Sequence, residues 1–256
     1  MAVRNRTSGR FRQTGAAVVR GLGHLLWPDL CANCREHVAE AGSVLCENCW
    51  EGLASVCSPD YCRRCGRDVS LYAVYGDVCQ NCSGEKICFD SIARAGIYAE
   101  SLREIVPAFK SGRTELDLVL GGLARSAMAA SRFSGEIDLF VPVPLHWLRR
   151  LFRGYNQSYL LAKVLKHPSA KISTDLVRIR YTRAQPTMPT PAARAKNVAG
   201  AFAVRYRHPF EGRRICLVDD VKTTGATLNE CAKTLKEAGA SKVFALVLAV
   251  AGQNAR

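Results

Sequence analysis

From Ser91 onward the apolar residues keep the periods of an α/β protein. Ser91 to Tyr98 (SIARAGIY) alternates as an entry strand does. Leu102 to Phe109 reads as a short helical piece interrupted around Ser111-Gly112. Glu115 to Ser131 gathers Leu116, Val119, Leu120, Leu123 and Ala127 on one face, which predicts a longer helix. Asp138 to Leu145 (DLFVPVPL) is a buried strand ending in prolines, and Leu160, Leu161, Val164 and Leu165 mark a helix after it. Residues 180–200 hold three prolines and no apolar period, so they read as a loop, long enough to be functional. A strand from Arg214 to Val218, a helix from Thr227 to Ala238 and a strand from Lys242 to Val250 complete the pattern. Strands alternating with helices, with continuously apolar strands, predict a doubly wound, mostly parallel sheet.

Ahead of Ser91 that rhythm is missing and cysteines replace it. Of 12 cysteines in 256 residues, ten lie between Cys31 and Cys88. Eight form four knuckles of one spacing: Cys31/Cys34, Cys46/Cys49, Cys62/Cys65 and Cys79/Cys82. Two sulfurs three positions apart on a tight turn face one tetrahedral metal, and two such turns close a four-thiolate zinc site. Gly66 follows Cys65 directly, where a knuckle often needs positive φ. Four knuckles combine into two sites in three ways; sequential pairing closes the shorter loops at the smaller entropy cost. A redox or disulfide role needs an oxidising compartment or a thioredoxin-like setting. Residues 1–28 carry Arg4, Arg6, Arg10, Arg12 and Arg20 without an acid, and their apolar positions never gather into a signal-peptide core. The segment therefore reads as cytoplasmic and the thiols as reduced zinc ligands, structural because four thiolates leave no open coordination position. Cys57, Cys88, Cys216 and Cys231 fit no pair and read as small buried hydrophobes. The expected domains are a basic segment (1–28), a double zinc ribbon (29–90) and an α/β domain (91–256).

Composition narrows the classes. At 48% hydrophobic and 23% charged the chain can bury a core, which excludes wholesale disorder. No run reaches the ~20 apolar residues of a membrane-spanning helix, so no transmembrane segment is expected. A formal charge of +14 calls for polyanionic partners. Tyr72 and Tyr75, near Arg63, Arg64 and Arg67, could stack on bases or simply cap the ribbon's core.

The chemistry concentrates in Ile215 to Thr227, ICLVDDVKTTGAT. Four apolar residues make a strand buried on both faces, Asp219 and Asp220 come where it should emerge, and Thr223, Thr224, Gly225, Ala226 and Thr227 open a helix. Helix N-terminal N–H groups and threonine hydroxyls wrap a phosphate monoester. Gly225 allows close backbone approach. The carboxylates are acceptors spaced to hold vicinal sugar hydroxyls, so the segment describes a ribose 5-phosphate clamp at the carboxyl end of an open sheet. The spacing GxxxxGK[ST] is missing, which excludes a Walker A loop.

This segment resembles the phosphoribosyl-pyrophosphate (PRPP) signature of type I phosphoribosyltransferases. Combined with the double ribbon, Phe109-Lys110-Ser111-Gly112, Val141-Pro142-Val143-Pro144, Arg153-Gly154-Tyr155-Asn156-Gln157 and Arg183-Ala184-Gln185 with Arg194 and Asn197, it resembles the ComF family. The resemblance implies a type I phosphoribosyltransferase-like fold behind an N-terminal double zinc ribbon. It implies PRPP binding by Asp219 and Asp220 (ribose hydroxyls) and Thr223 to Thr227 (5-phosphate). Lys110, Arg153, Arg183 and Arg194, with Arg149 and Arg150 nearby, would grip phosphates, and residues 180–200 would be a hood. Magnesium would accompany the pyrophosphate. The implied activity is transfer of phosphoribose to a nitrogen acceptor, in a protein linked to DNA uptake. The alternatives are a non-catalytic factor that grips single-stranded DNA and uses the PRPP site for regulation, and an adaptor whose ribbon docks a DNA-uptake helicase. Lys222 departs from the family, where the position is often uncharged or aromatic, and adds local positive charge. His146 to Lys166 and Arg178 to Lys196 contain no acid, so much of the basicity flanks the expected pyrophosphate and hood loops.

Overall fold

The computed structural model describes residues 30–40, 42–69, 74–75, 78–82, 84–165, 167, 169–182, 188–205 and 210–252. The expected basic segment at 1–28, Tyr72 and Arg183-Ala184-Gln185 lie outside the described residues, as does the side chain of Tyr75. The described residues fall into two compact units, divided between Trp50 and Glu51.

In the first unit, Leu30 and His37 bridge across the first knuckle. Cys31 N donates to Glu36 O at 2.8 Å, and Arg35 turns the chain with φ 69°. Helix α1 (Glu47–Val56) opens directly after Cys46 and carries Cys49. The second unit repeats the device. Tyr61 and Asp68 bridge, Cys62 N donates to Arg67 O at 2.9 Å, and Gly66 makes the same turn with φ 79°. Strands β1 (Val74–Tyr75) and β2 (Val78–Cys79) then pair antiparallel and return the chain to the metal position. This second ribbon is built into the sheet unit: Ile92 N donates to Arg63 O at 2.8 Å, and the Arg64 guanidinium donates to Ile87 O and Asp90 O at 2.8 and 2.9 Å.

The sheet unit runs β3 (Ser91–Ile97), α2 (Glu100–Lys110), α3 (Asp117–Ala129), β4 (Leu139–Pro142), α4 (Trp147–Arg153) and α5 (Gln157–Val164). It continues with β5 (Lys171–Ile172), β6 (Leu176–Arg178), α6 (Pro191–Val198), β7 (Phe202–Val204), β8 (Arg214–Lys222), α7 (Ala226–Glu237) and β9 (Lys242–Val250). Five strands in the order β3-β9-β8-β4-β5 are parallel throughout. One face of the sheet, with Ile92, Val141, Ile215, Leu217, Val243 and Ala245, is covered by Leu228, Cys231, Ala232 and Leu235 of α7. Helices α3 and α5 pack on the sheet as well, and Phe133 stacks on Phe244 with ring centroids 4.4 Å apart. Burying both faces explains why β8 and β9 read as unbroken apolar runs rather than alternating ones.

Residues 180–200 are not wholly loop, as their prolines predict. They contain α6, capped by Thr190, whose Oγ1 accepts from Ala193 N at 3.1 Å, with Pro191 in the first turn. Proline is tolerated there because the first N–H groups of a helix have no intrahelical partner. Strand β8 also runs further than Val218, so both aspartates sit inside the paired strand, with Asp219 opposite Val247 of β9. Cys216 and Cys231 are fully buried; Cys57 and Cys88 are only partly so.

Candidate functional site

The end of β8, the turn after it and the start of α7 form the floor of a cavity of about 370 Å³. Asp219, Asp220, Thr223, Thr224, Gly225, Ala226, Thr227, Lys110 and Arg153 all line it, joined by Arg149, Arg178, Gln157, Ser158 and Lys222. Arg194 is not among the lining residues; its Nε donates to Met188 O at 3.2 Å.

Each carboxylate is fixed from a different element. Asp220 is buried; its Oδ1 meets Lys110 Nζ at 2.8 Å from the end of α2, and its Oδ2 accepts from Gln157 Nε2 at 2.8 Å. Gln157 is in turn held by Arg153 Nη1, at 2.7 Å. The Asp219 Oδ1 accepts from Ser158 Oγ and from Asp220 N, both at 3.0 Å. Burial first, then the Asp220 charge, pushes the Asp219 carboxyl up to about 7. The first turn of α5 thus sets both acids, and its own start is fixed by Asn156, whose side chain accepts from Ser158 N at 3.0 Å and donates to Val143 O at 3.1 Å.

The turn is shaped for an anion. Gly225 has φ 79°, and a Cβ there would meet Lys222 Cε at 3.0 Å, so a side chain would be strained and crowded. Five cations, Lys110, Arg149, Arg153, Arg178 and Lys222, surround the two carboxylates among the lining residues. Arg178 stands over the Phe202 ring at 5.3 Å and is held by Thr182, while Arg149 donates to Thr182 O at 2.7 Å. Burial, with Arg149 beside it, pulls the Arg178 guanidinium below its usual range. A buried cation crowded by another is relieved when an anion arrives. Sequence reasoning missed Ser158 and Arg178. Ser158 follows directly on a motif that was legible, whereas Arg178 comes from the short strand β6, whose three residues carry no period to read.

The metal centres are built from the predicted ligands in sequential pairs: Cys31, Cys34, Cys46 and Cys49 in one, Cys62, Cys65, Cys79 and Cys82 in the other. Within each, one sulfur per residue lies within 4.8 Å of all the others. Sulfurs stand 3.5 Å apart for Cys34–Cys46, Cys62–Cys82 and Cys79–Cys82 and 3.7 Å apart for Cys65–Cys79. A tetrahedral ion at ~2.3 Å from each sulfur requires sulfurs roughly 3.8 Å apart. Asn33 directs its backbone N and its Nδ2 at the sulfurs of Cys31 and Cys49, both at 3.4 Å, the donors a thiolate needs. Both tetrads fit structural zinc. Arg63, Arg64 and Arg67 of the second ribbon are already engaged, Arg64 on backbone carbonyls, Arg67 on Glu85 and Arg63 over the Tyr61 ring at 4.0 Å.

A family model described as a double zinc ribbon domain matches residues 22–83. Competence protein F of Haemophilus influenzae is 31% identical over 220 residues, which is 83% of this chain and 93% of that protein. DNA utilization protein YhgH of Salmonella typhimurium is 31% identical over 224 residues, 84% of this chain and 94% of that one. Among solved structures, a purine phosphoribosyltransferase from Pyrococcus horikoshii aligns at 17% identity and a TM-score of 0.32, over 52% of this chain and 73% of its own. The chain is thus aligned over most of its length with Competence protein F and YhgH, ribbon and acid-lined turn together, and the protein belongs to the ComF family.

Proposed function

We propose that the cavity binds PRPP or a related phosphoribosyl ligand, and that the protein works, as its relatives' names describe for them, in the uptake or use of DNA. The observation that carries the reading is the pair Asp219 and Asp220 near the end of β8, lining one cavity together with the Thr223–Thr227 turn. Two acceptors beside a glycine turn at a helix N-terminus suit a sugar diol with a phosphate on its far carbon. Lys110, Arg149, Arg153 and Arg178 suit the pyrophosphate. Magnesium would enter with the donor, because the only lining carboxylates among the described residues are already engaged by Lys110, Gln157 and Ser158 and make no separate cage. Among the described residues no helix is long and apolar enough to cross a membrane, and a cytoplasmic site of action is part of the proposal.

Calorimetry with PRPP and magnesium tests the binding. The wild-type protein binds, and the double variant Asp219→Asn with Asp220→Asn loses roughly a hundredfold in affinity or more. Unchanged affinity sinks the reading. Pyrophosphate release from PRPP, screened over nitrogenous acceptors, separates transfer from binding alone: release makes the protein a transferase, and tight binding without release makes the site regulatory.

A second reading, that the same molecule grips single-stranded DNA, is favoured by helix α4. Its Trp147, Leu151 and Phe152 are 64%, 72% and 88% exposed, interleaved with Arg149, Arg150 and Arg153. Exposed aromatics among arginines suit stacked bases and a phosphate backbone. A helicase partner docking on the ribbon remains the third role the family resemblance implies.

A further inference from the structure

Lys222 is 3% exposed, and its Nζ has no hydrogen-bond partner among the described residues. An ammonium taken out of water without a partner is costly, so a counter-charge is required. Neither carboxylate beside it in the strand bonds to it: Asp220 is taken by Lys110 and Gln157, and Asp219 accepts from Ser158 and Asp220 N.

The residues that flank Lys222 are tied to the second ribbon. Its strand partner in register is Val250, and a Cβ on Gly66, the residue after Cys65, would meet Val250 Cγ2 at 3.0 Å. On the other side, the point 3.7 Å from Lys222 Nζ at the Gly225 Cβ position is 3.9 Å from Asn229 Nδ2. Asn229 ties α7 to the ribbon's exit, donating to Lys86 O at 3.1 Å and accepting from Cys88 N at 2.9 Å. Ile87, between those two bonds, packs against the four cysteines. Burial lowers the ammonium's pKa, and Arg67 lowers it further; the sulfurs of Cys65 and Cys82, with Glu85, raise it again. Glu85 is already paired with Arg67. The sulfurs are what remain.

Four thiols are neutral, but four thiolates around a zinc ion make a dianion. We propose that Lys222 is the counter-charge of the second cysteine tetrad, and that it screens that dianion from an anion bound in the cavity. Zinc loading supplies the negative charge the buried ammonium lacks. The ammonium in turn keeps the tetrad from repelling a phosphorylated ligand at the Thr223–Thr227 turn, which Lys222 also lines. This last step rests on the phosphoribosyl reading of the cavity; the counter-charge role does not.

The test uses the zinc-loaded full chain as wild type, Lys222→Met, Lys222→Gln and Lys222→Arg, under a chelator that competes for zinc, with circular dichroism to compare folding. In the two neutral variants one of the two zinc equivalents leaves roughly tenfold faster and the other at the wild-type rate, while Lys222→Arg behaves as wild type. Pyrophosphate affinity, read by calorimetry, falls roughly tenfold in the same two variants. Wild-type zinc release in a folded neutral variant overturns the proposal, and so does equally fast release in Lys222→Arg, which would make the role one of packing. If Lys222→Met fails to fold, Lys222→Gln against Lys222→Arg reads the same contrast. Accelerated release with no pyrophosphate binding even to wild type keeps the counter-charge and removes the phosphoribosyl reading.

Discussion

Asp219 sits under strain of its own making. Its half-buried carboxyl is desolvated beside a second carboxylate, which pushes its pKa up to about 7 against ~3.9 in an unfolded chain. Between those values the folded state holds a proton that the unfolded state has released, so raising the pH through this window destabilises the fold. The penalty is absent below the unfolded value and complete above the folded one. An asparagine keeps an Oδ1 to accept from Ser158 and from Asp220 N, the two bonds the carboxylate makes now, without the charge. Asp219→Asn should therefore stabilise the ligand-free protein at pH 8 by about 1 kcal/mol, a rise of about 2–4 °C in Tm. The gain should shrink toward zero as the pH falls to about 4, and PRPP affinity should drop in the variant at the same time. Thermal melts at both pH values check it; a gain that does not depend on pH would assign the effect to something other than this carboxyl. A residue that costs stability where the protein works is what a binding site is expected to contain.

At the scale of elements, the clamp is a strand, a turn and a helix whose junction depends on one backbone conformation. Gly225→Ala places a Cβ at φ 79° and 3.0 Å from Lys222 Cε. The expected cost is about 1–2 kcal/mol of stability and roughly tenfold in pyrophosphate affinity, measured by denaturant titration and calorimetry. Loss of affinity with unchanged stability would mean that the turn shapes the site without straining the fold. This junction was legible in the sequence because each of its parts has a local signature: an apolar run, paired acids, small hydroxyl residues with glycine. The cysteine tetrads were legible for the same reason, since spacing alone specifies a knuckle. What the sequence left hidden depends on contacts between distant segments. Helix α6 was masked by prolines that count against a helix except in its first turn. Strands β5 and β6 have two and three residues, too few for a period. Arg178 and Ser158 join the site only because β6 and α5 are brought to β8. The role argued for Lys222 needed the ribbon and the turn in one structure, since Lys222 and Cys65 are far apart in the chain.

For the molecule as a whole, a charge of +14 exceeds what one phosphorylated ligand requires. Part of it is committed: Lys110 to Asp220, Arg64 to backbone carbonyls, Arg67 to Glu85 and Arg214 to Asp138. Arg150 on α4 is exposed beside Phe152, and the run from His146 to Lys166 contains no acid to neutralise it. A polyanion that follows this surface releases counterions, so its affinity falls with salt, and a stacking contact adds affinity without changing that slope. The two contributions are separable on one helix. Binding of a fluorescent oligothymidylate should weaken steeply between 50 mM and 200 mM salt, by about three hundredfold if six phosphates are contacted. Trp147→Ala with Phe152→Ala should lose roughly tenfold or more at every salt concentration and leave the slope unchanged. Arg150→Ala should flatten the slope by about one. Binding indifferent to salt would remove DNA from the reading. A steep slope that none of these variants alters would move the DNA off α4 and onto another basic surface.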